Sequence, residues 1–274
     1  MENQFIPEKY PDIKTAHAFC GGRQMPIKGG SKMKVAIITG ASSGIGWEAA
    51  LEIDRRFRSL DELWIVGRNE EKLRVLSKHL HHANRIIIMD VTDPADMDAF
   101  EDVLTKLRPN IRMLFQSAGE GLHGRFDSMK RQDEAEMVKL NCEALTNIAS
   151  VCLPYMRAGS HIINLASSAA FMPIPSFGVY CASKAYVLSF SKSLGMELRK
   201  RKIHVTAVCP GPVDTPFFDK SERFFGPVWP IKKFIMNNPK NVAFKAICDA
   251  GVGMRVSFDT PPIALACLLG KIFL

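Results

Sequence analysis

A three-layer α/β fold, with a parallel sheet held between two layers of helices, is predicted by three observations. Short apolar runs rich in β-branched residues alternate with longer stretches of helical period along most of the chain. Each run is apolar almost without interruption, as strands buried on both faces must be. The first run passes directly into a glycine-rich turn that opens a helical stretch. Together these describe a doubly wound, Rossmann-like parallel sheet.

The elements follow in order. Strands are expected at residues 35–39, 63–66, 85–89, 113–116, 161–165 and 204–209, and helices at 45–56, 70–80, 94–107, 132–156 and 179–201. Thr92-Asp93-Pro94 reads as a helix cap, and the cations from Arg199 to Lys202 complement the carboxyl end of the last long helix. After Pro210 the alternation breaks into Pro- and Phe-rich sequence (Pro216, Phe217, Phe218, Phe224, Phe225, Trp229) before a short helix at 241–249. In a doubly wound sheet, ligands gather outside the carboxyl ends of the strands, so an irregular apolar insertion over about 212–240 is expected to be a substrate lid. Residues 1–32, rich in Pro, Gly and Lys, read as a flexible extension, and 33–274 as a single domain.

Composition narrows the class. With 274 residues, 47% hydrophobic and 23% charged, the chain can bury a large core without disulfides or metals. Its seven cysteines show neither a C-x-x-C pair nor zinc spacing, which points to reduced thiols in the cytoplasm and to no metal site. His79, His81 and His82 have no carboxylate at useful spacing and are expected on the surface. The net charge of +8 reads as a solvated basic surface rather than a nucleic-acid site. Residues 262–274 are apolar but too short to span a bilayer; peripheral membrane contact is compatible with them and otherwise unsupported.

Candidate chemistry starts at the turn Thr39-Gly40-Ala41-Ser42-Ser43-Gly44-Ile45-Gly46, between strand and helix. Glycines there let the backbone approach a pyrophosphate, and the helix start offers free N–H groups. Gly40, Ser42, Ser43, Gly44, Ile45 and Gly46 are therefore candidate cofactor contacts. The second strand ends in Gly67-Arg68, with a guanidinium where a carboxylate would select NAD(H), so NADP(H) is the expected cofactor. Asp90-Val91 closes the third strand, where a carboxylate can meet an adenine amino group.

Tyr180 and Lys184, four apart near a helix start, share one face. An ammonium beside a phenol is expected to lower its pKa, fitting it to exchange a proton with a carbonyl or alcohol. Ser167, thirteen residues before Tyr180 and just after an apolar strand, places a hydroxyl where it can hold the substrate oxygen, with Ser168 as a rival.

These residues resemble the short-chain dehydrogenase/reductase family. Thr39 to Gly46 matches its T-G-x-x-x-G-x-G, and Tyr180 to Lys184 its Y-x-x-x-K. Gln116-Ser117-Ala118-Gly119 is similar to N-N-A-G, and Pro210-Gly211-Pro212-Val213-Asp214-Thr215 to P-G-x-V-x-T. The resemblance implies an oxidoreductase acting on CH–OH groups. It makes Ser167, Tyr180 and Lys184 catalytic, with Asn141 holding a water against the lysine, and adds Ala118, Gly119, Pro210, Gly211, Val213 and Thr215 to the cofactor contacts. It also implies a homodimer or homotetramer paired through the long helices. Two departures stand out: Gln116-Ser117 replaces Asn-Asn, and Ser43 stands where many NADP-preferring members carry a second cation.

The loops around 119–126, 170–178 and 216–238 would set the substrate. Their Phe, Met and Pro residues suit a bulky hydrophobic compound such as a hydroxysteroid, a bile-acid-like ketone or a 3-oxoacyl compound, with Glu120, His123 and Arg125 at one rim. The competing reading is a catalytically silent NAD(P)-binding regulator or redox sensor of the same fold, which loss of Tyr180 or Lys184 would have favoured.

Overall fold

The computed structural model describes residues 33–217, 236–265 and 267. Seven parallel strands form one sheet in the order β3-β2-β1-β4-β5-β6-β7. They are β1 (Lys34–Thr39), β2 (Glu62–Gly67), β3 (Ala83–Ile88), β4 (Asn110–Gln116), β5 (Met156–Leu165), β6 (His204–Val208) and β7 (Val256–Ser257). The helices described over their whole length are α1 (Gly44–Arg56), α2 (Glu70–His79), α3 (Pro94–Leu107), α4 (Arg131–Val138), α5 (Leu145–Cys152), α6 (Gly178–Glu197) and α7 (Pro239–Gly251). The expected extension over 1–32, the centre of the expected lid and most of the apolar tail lie outside the described residues.

The central strands β1, β2 and β4 are buried on both sides, as their composition requires, whereas the edge strand β3 is only partly covered. Ala49, Ala50 and Ile53 of α1 pack with Leu73 of α2 and Ala246 of α7 on one face, over Ile38 and Ile65. Phe100 and Leu104 of α3 and Ile148 of α5 cover Ile37 and Trp64 on the other. The helices switch faces between β1 and β4, which are neighbours in the sheet. Their carboxyl ends part there into a crevice. Among the described residues, no helix is long and apolar enough to cross a membrane.

Two departures from expectation have local causes. The stretch expected as one helix over 132–156 is α4 and α5 joined by a π turn at Lys139–Ala144, and its last residue, Met156, opens β5. A wide turn of this kind inside a helix is common where a side chain must be placed for function. The seventh strand is two residues long, too short to leave a periodic signature.

His81 and His82 were expected without a carboxylate, but Asp54, 27 and 28 residues earlier, reaches both. Its buried carboxylate accepts their backbone N–H groups at 3.0 and 2.9 Å and lies 2.8 Å from each Nδ1. Burial pushes the Asp54 pKa up, but these hydrogen bonds outweigh it and hold the carboxyl below its usual range. The clasp ties the end of α1 to the entry of β3. His82 is thereby half-buried, whereas His79 and His81 are exposed.

Candidate active site

A cleft of about 810 Å³ lies across the carboxyl ends of the strands. At one end is the turn between β1 and α1. Gly40 has φ +68°, and a Cβ there would come within 2.7 Å of the Ala118 nitrogen, so only glycine lets β1 and β4 splay at this spacing. Ser117, in place of the expected Asn, braces the same junction by donating its hydroxyl to the Thr39 carbonyl at 2.6 Å. Gln116 donates to Asn164 at 3.0 Å, Asn164 to the Ser191 hydroxyl at 2.9 Å, and Ser191 to the Val187 carbonyl at 2.6 Å. This buried chain fixes β4 and β5 to α6.

The start of α1 differs from those of α2, α3 and α7. Asn69, Asp93 and Asn238 cap those three with their side chains, whereas Ser43 makes no capping hydrogen bond and the first turn of α1 holds no acid. The free N–H groups and partial positive charge therefore face the cleft, a fit for a pyrophosphate. Gly40, Ser42, Ser43, Gly44 and Ile45 line the cleft here. Gly46 does not; it sits behind the turn against the Ser117 hydroxyl and the Gly40 carbonyl.

Arg68, Asp90 and Val91 line the cleft beside this turn. Arg68 Nη1 lies 3.4 Å from Asp90 Oδ2, while the other Asp90 oxygen accepts from the Thr92 N–H at 3.0 Å and its hydroxyl at 2.7 Å. Burial alone would raise the Asp90 pKa; the Thr92 hydrogen bonds and the Arg68 charge bring it below the usual value. Lys72, on the first turn of α2, also lines the cleft. The sequence signal for it was its position four residues after Arg68.

Ala118, Gly119, Pro210, Gly211, Val213 and Thr215 line the middle of the cleft. The Gly211 N–H donates to Asp259 at 3.2 Å, and the Asn237 side-chain amide donates to the same carboxylate oxygen at 3.2 Å. Asp259 thus holds the loop after β6 to the residue that bridges Val213.

The floor is formed by Ser167, Tyr180 and Lys184. Ser167 ends the extended segment after β5 and starts a short 3₁₀ turn, with its hydroxyl accepting from the Ala169 N–H at 3.2 Å. The same hydroxyl hydrogen-bonds the Tyr180 phenol. Lys184 Nζ donates to the Leu165 carbonyl at 2.9 Å and lies 5.7 Å from the centre of the Tyr180 ring. The expected lowering of the phenol pKa is overturned. Burial pushes it up to about 12, against a smaller opposing effect from Ser167. Burial likewise brings the Lys184 amine down to about 8. Both side chains are buried in the floor, and burial disfavours the charged form of each.

Asn141 does not line the cleft. It lies buried on the π turn, and its Oδ1 accepts from the Glu120 N–H at 3.0 Å. Its Nδ2 donates to the Glu120 carbonyl at 2.8 Å and to the Ser183 hydroxyl at 3.0 Å. Ser183 in turn donates to the Tyr180 carbonyl at 2.7 Å. The side chain of Asn141 thus braces the loop after β4 against the helix that carries Tyr180. Ser183 was not among the expected residues.

The other end of the cleft is aromatic. Phe177 and Phe217 tilt against Tyr180 with ring centres 4.5 and 5.5 Å away, and His123 tilts against Phe177 at 5.5 Å. Gly121 lies flat on the same ring; a Cβ there would come within 2.8 Å of Tyr180 Cδ2. Glu120, Ile174 and Met236 complete this end. Arg125 is turned away from it, paired with Asp127 at 2.7 Å on the surface.

Comparison with known proteins agrees with this geometry. The family model described as short chain dehydrogenase matches residues 34–224. An uncharacterised oxidoreductase of Staphylococcus epidermidis is 32% identical over 193 residues, covering 70% of this chain and 83% of that protein. Sulfoacetaldehyde reductase 2 of Chromohalobacter salexigens is 33% identical over 190 residues, 67% of this chain and 74% of its own. Among solved structures, a short-chain dehydrogenase from Sphingobium yanoikuyae in complex with NADPH superposes with a TM-score of 0.74 at 26% identity, covering 88% of this chain and 93% of that one. One from Burkholderia phymatum in complex with NAD has a TM-score of 0.75 at 23% identity, covering 87% and 92%.

Proposed function

The chain belongs to the short chain dehydrogenase family and is an oxidoreductase, and from that premise we propose that it transfers a hydride between NADP(H) and the carbonyl or secondary alcohol of a bulky hydrophobic compound. The observation that carries this reading is the meeting of Ser167, Tyr180 and Lys184 on the floor of the cleft that the uncapped start of α1 also faces.

Bound nicotinamide supplies or accepts the hydride; the remaining steps belong to the protein. Ser167 holds the substrate oxygen beside the phenol. With its pKa near 12, Tyr180 is protonated at neutral pH and gives that proton to the oxygen as the carbonyl is reduced. Lys184, mostly ammonium below pH 8, stabilises the resulting phenolate. One of its three protons is committed to the Leu165 carbonyl, which leaves two for a ribose hydroxyl and the phenol oxygen. Asn141 acts from behind, holding the loop that carries Gly119.

Preference for NADP(H) is supported by two cations at the adenosine end. Arg68 and Lys72 both line the cleft where a 2′-phosphate would sit, and Gly67 offers no carboxylate. Lys72 supplies the second cation that Ser43 does not. The hydrophobic substrate is supported by the wall of Ile174, Phe177, Phe217 and Met236. Assembly into a homodimer or homotetramer is supported by Val138 of α4 and by Tyr186 and Met196 of α6, which are exposed.

A panel of short, aromatic, steroid and 3-oxoacyl ketones, followed by loss of NADPH absorbance, tests the reading. Turnover is expected with the bulky members, and Tyr180→Phe is expected to lower kcat by roughly 10²–10⁴. Undiminished turnover in that variant would refute the mechanism.

A further inference from the structure

Behind the aromatic end of the cleft lies a second cavity of about 360 Å³. It is built from the loop after β4, α4 and the start of α6, and Leu122, Phe126, Met129, Met137 and Val179 give it an apolar lining. Glu134 is the one charged side chain among its described lining residues. Two residues, Ile174 and Phe177, line both this cavity and the main cleft. They form a ridge one side chain thick, with Tyr180 against one side of Phe177 at 4.5 Å between ring centres. Ile174 is 39% exposed and Phe126 75% exposed, so apolar surface continues over the ridge and out along the far wall. Phe126 stands on the far wall of this cavity with most of its ring open, an apolar face available to a hydrocarbon.

We propose that this cavity is a subsite for the distal, uncharged apolar tail of the substrate, which crosses the ridge of Ile174 and Phe177 from a carbonyl held at Tyr180. The inference rests on the reading of the cleft as a site for a hydrophobic carbonyl compound and sharpens it. The substrate class becomes an elongated ketone or secondary alcohol, with its reacting carbon near one end and a neutral hydrocarbon tail. A tail ending in a carboxylate is disfavoured by Glu134. Short carbonyl compounds fill only the cleft and leave the second cavity to water.

Gly178 provides the test. It lines the second cavity but not the cleft, and a Cβ at this position meets nothing within 4 Å, so a larger side chain enters open space. Wild type, Gly178→Leu and Phe126→Asp are compared on methyl ketones with alkyl chains from ethyl to undecyl. In wild type, kcat/KM is expected to climb about two- to fourfold for each methylene that the second cavity buries. Gly178→Leu is expected to match wild type on the short ketones, stop climbing once the chain passes Phe177, and fall at least tenfold behind on the longest. Phe126→Asp is expected to fall behind on the same long members, and it decides the matter if Gly178→Leu is inactive at every length. Parallel length profiles in all three proteins overturn the proposal. So does a change in oligomeric state of Phe126→Asp with an unaltered profile, which assigns the cavity to a second copy of the chain. Absence of turnover for every ketone in wild type is a different failure, that of the cleft reading, and the subsite falls with it.

Discussion

The half of the cleft around Gly40 and the half around Gly121 are made from different parts of the fold. The first consists of strand ends and helix starts, and its groups are polar and partly hydrated: Arg68, Lys72, Asp90 and the bare N–H groups of α1. The second consists of residues from three distant stretches, Gly121, Phe177 and Phe217, stacked around one phenol. Regular elements impose the geometry of the first half, so its residues are placed by backbone periodicity. Packing among side chains imposes the geometry of the second, so it can change with the substrate while the first stays the same.

Lys184 stands where the two halves meet, and its substitution is expected to change the stability of the fold most. Burial lowers its pKa from 10.5 to about 8. Between those values the unfolded chain holds a proton that the folded chain does not, so stability rises with pH through that window. Below pH 8 the burial of the ammonium costs on the order of 3 kcal/mol. Tyr180 runs the other way above pH 10, because its raised pKa lets the folded state keep a proton that the unfolded state loses. Lys184→Met removes the buried charge and also a hydrogen bond to the Leu165 carbonyl worth about 1 kcal/mol. The cofactor-free variant is therefore expected to be about 2 kcal/mol more stable than wild type at pH 7, with the advantage gone near pH 10. Urea unfolding at the two pH values measures it. A variant no more stable at pH 7 would show that this junction is not where stability is given up for chemistry.

Arg68 tests the polar half alone. If the guanidinium meets a 2′-phosphate, Arg68→Ala should lower the ratio of kcat/KM for NADPH over NADH by roughly 10- to 100-fold, and Lys72→Ala, at an exposed position, by several-fold. The profile across ketones should stay the same in both variants. A shift in ketone preference would mean that the two halves are coupled.

The same contrast explains what could be read from the sequence. The strands β1 to β6, α1, α2, α3 and α6, and Gly40, Arg68, Ser167, Tyr180 and Lys184 all belong to periodic runs or to motifs of fixed short spacing, so the residues themselves announce them. Asp54 with His81 and His82, Asp259 with Gly211, and His123 with Phe177 are contacts between distant stretches. No local pattern encodes them, because each partner would be equally at home on a surface loop. The phenol pKa is not legible in the sequence for a related reason. Spacing shows that an ammonium is near, but only packing shows that the phenol is buried, and burial raises its pKa.

Ser183 offers the finest test, because it joins the two halves without touching the cleft. Its hydroxyl spends its one proton on the Tyr180 carbonyl and accepts the Asn141 amide, whose other bonds hold Glu120 in the loop between Gly119 and Gly121. Removing it leaves a buried amide proton of Asn141 unpaired, a loss of roughly 1–2 kcal/mol if the loop does not relax. A residue that only stabilises the fold would lower the melting temperature and leave kcat alone. If Ser183 instead sets the distance between the loop and the phenol, Ser183→Ala should lower kcat about tenfold with little change in KM for either substrate, and Ser183→Thr, which keeps the hydroxyl, should recover most of it. Asn141→Ala combined with Ser183→Ala should then lose little more than the worse single variant, since both break the same link. Additive losses would mean that each residue braces its own side, and that the two halves of the cleft are aligned by the sheet alone.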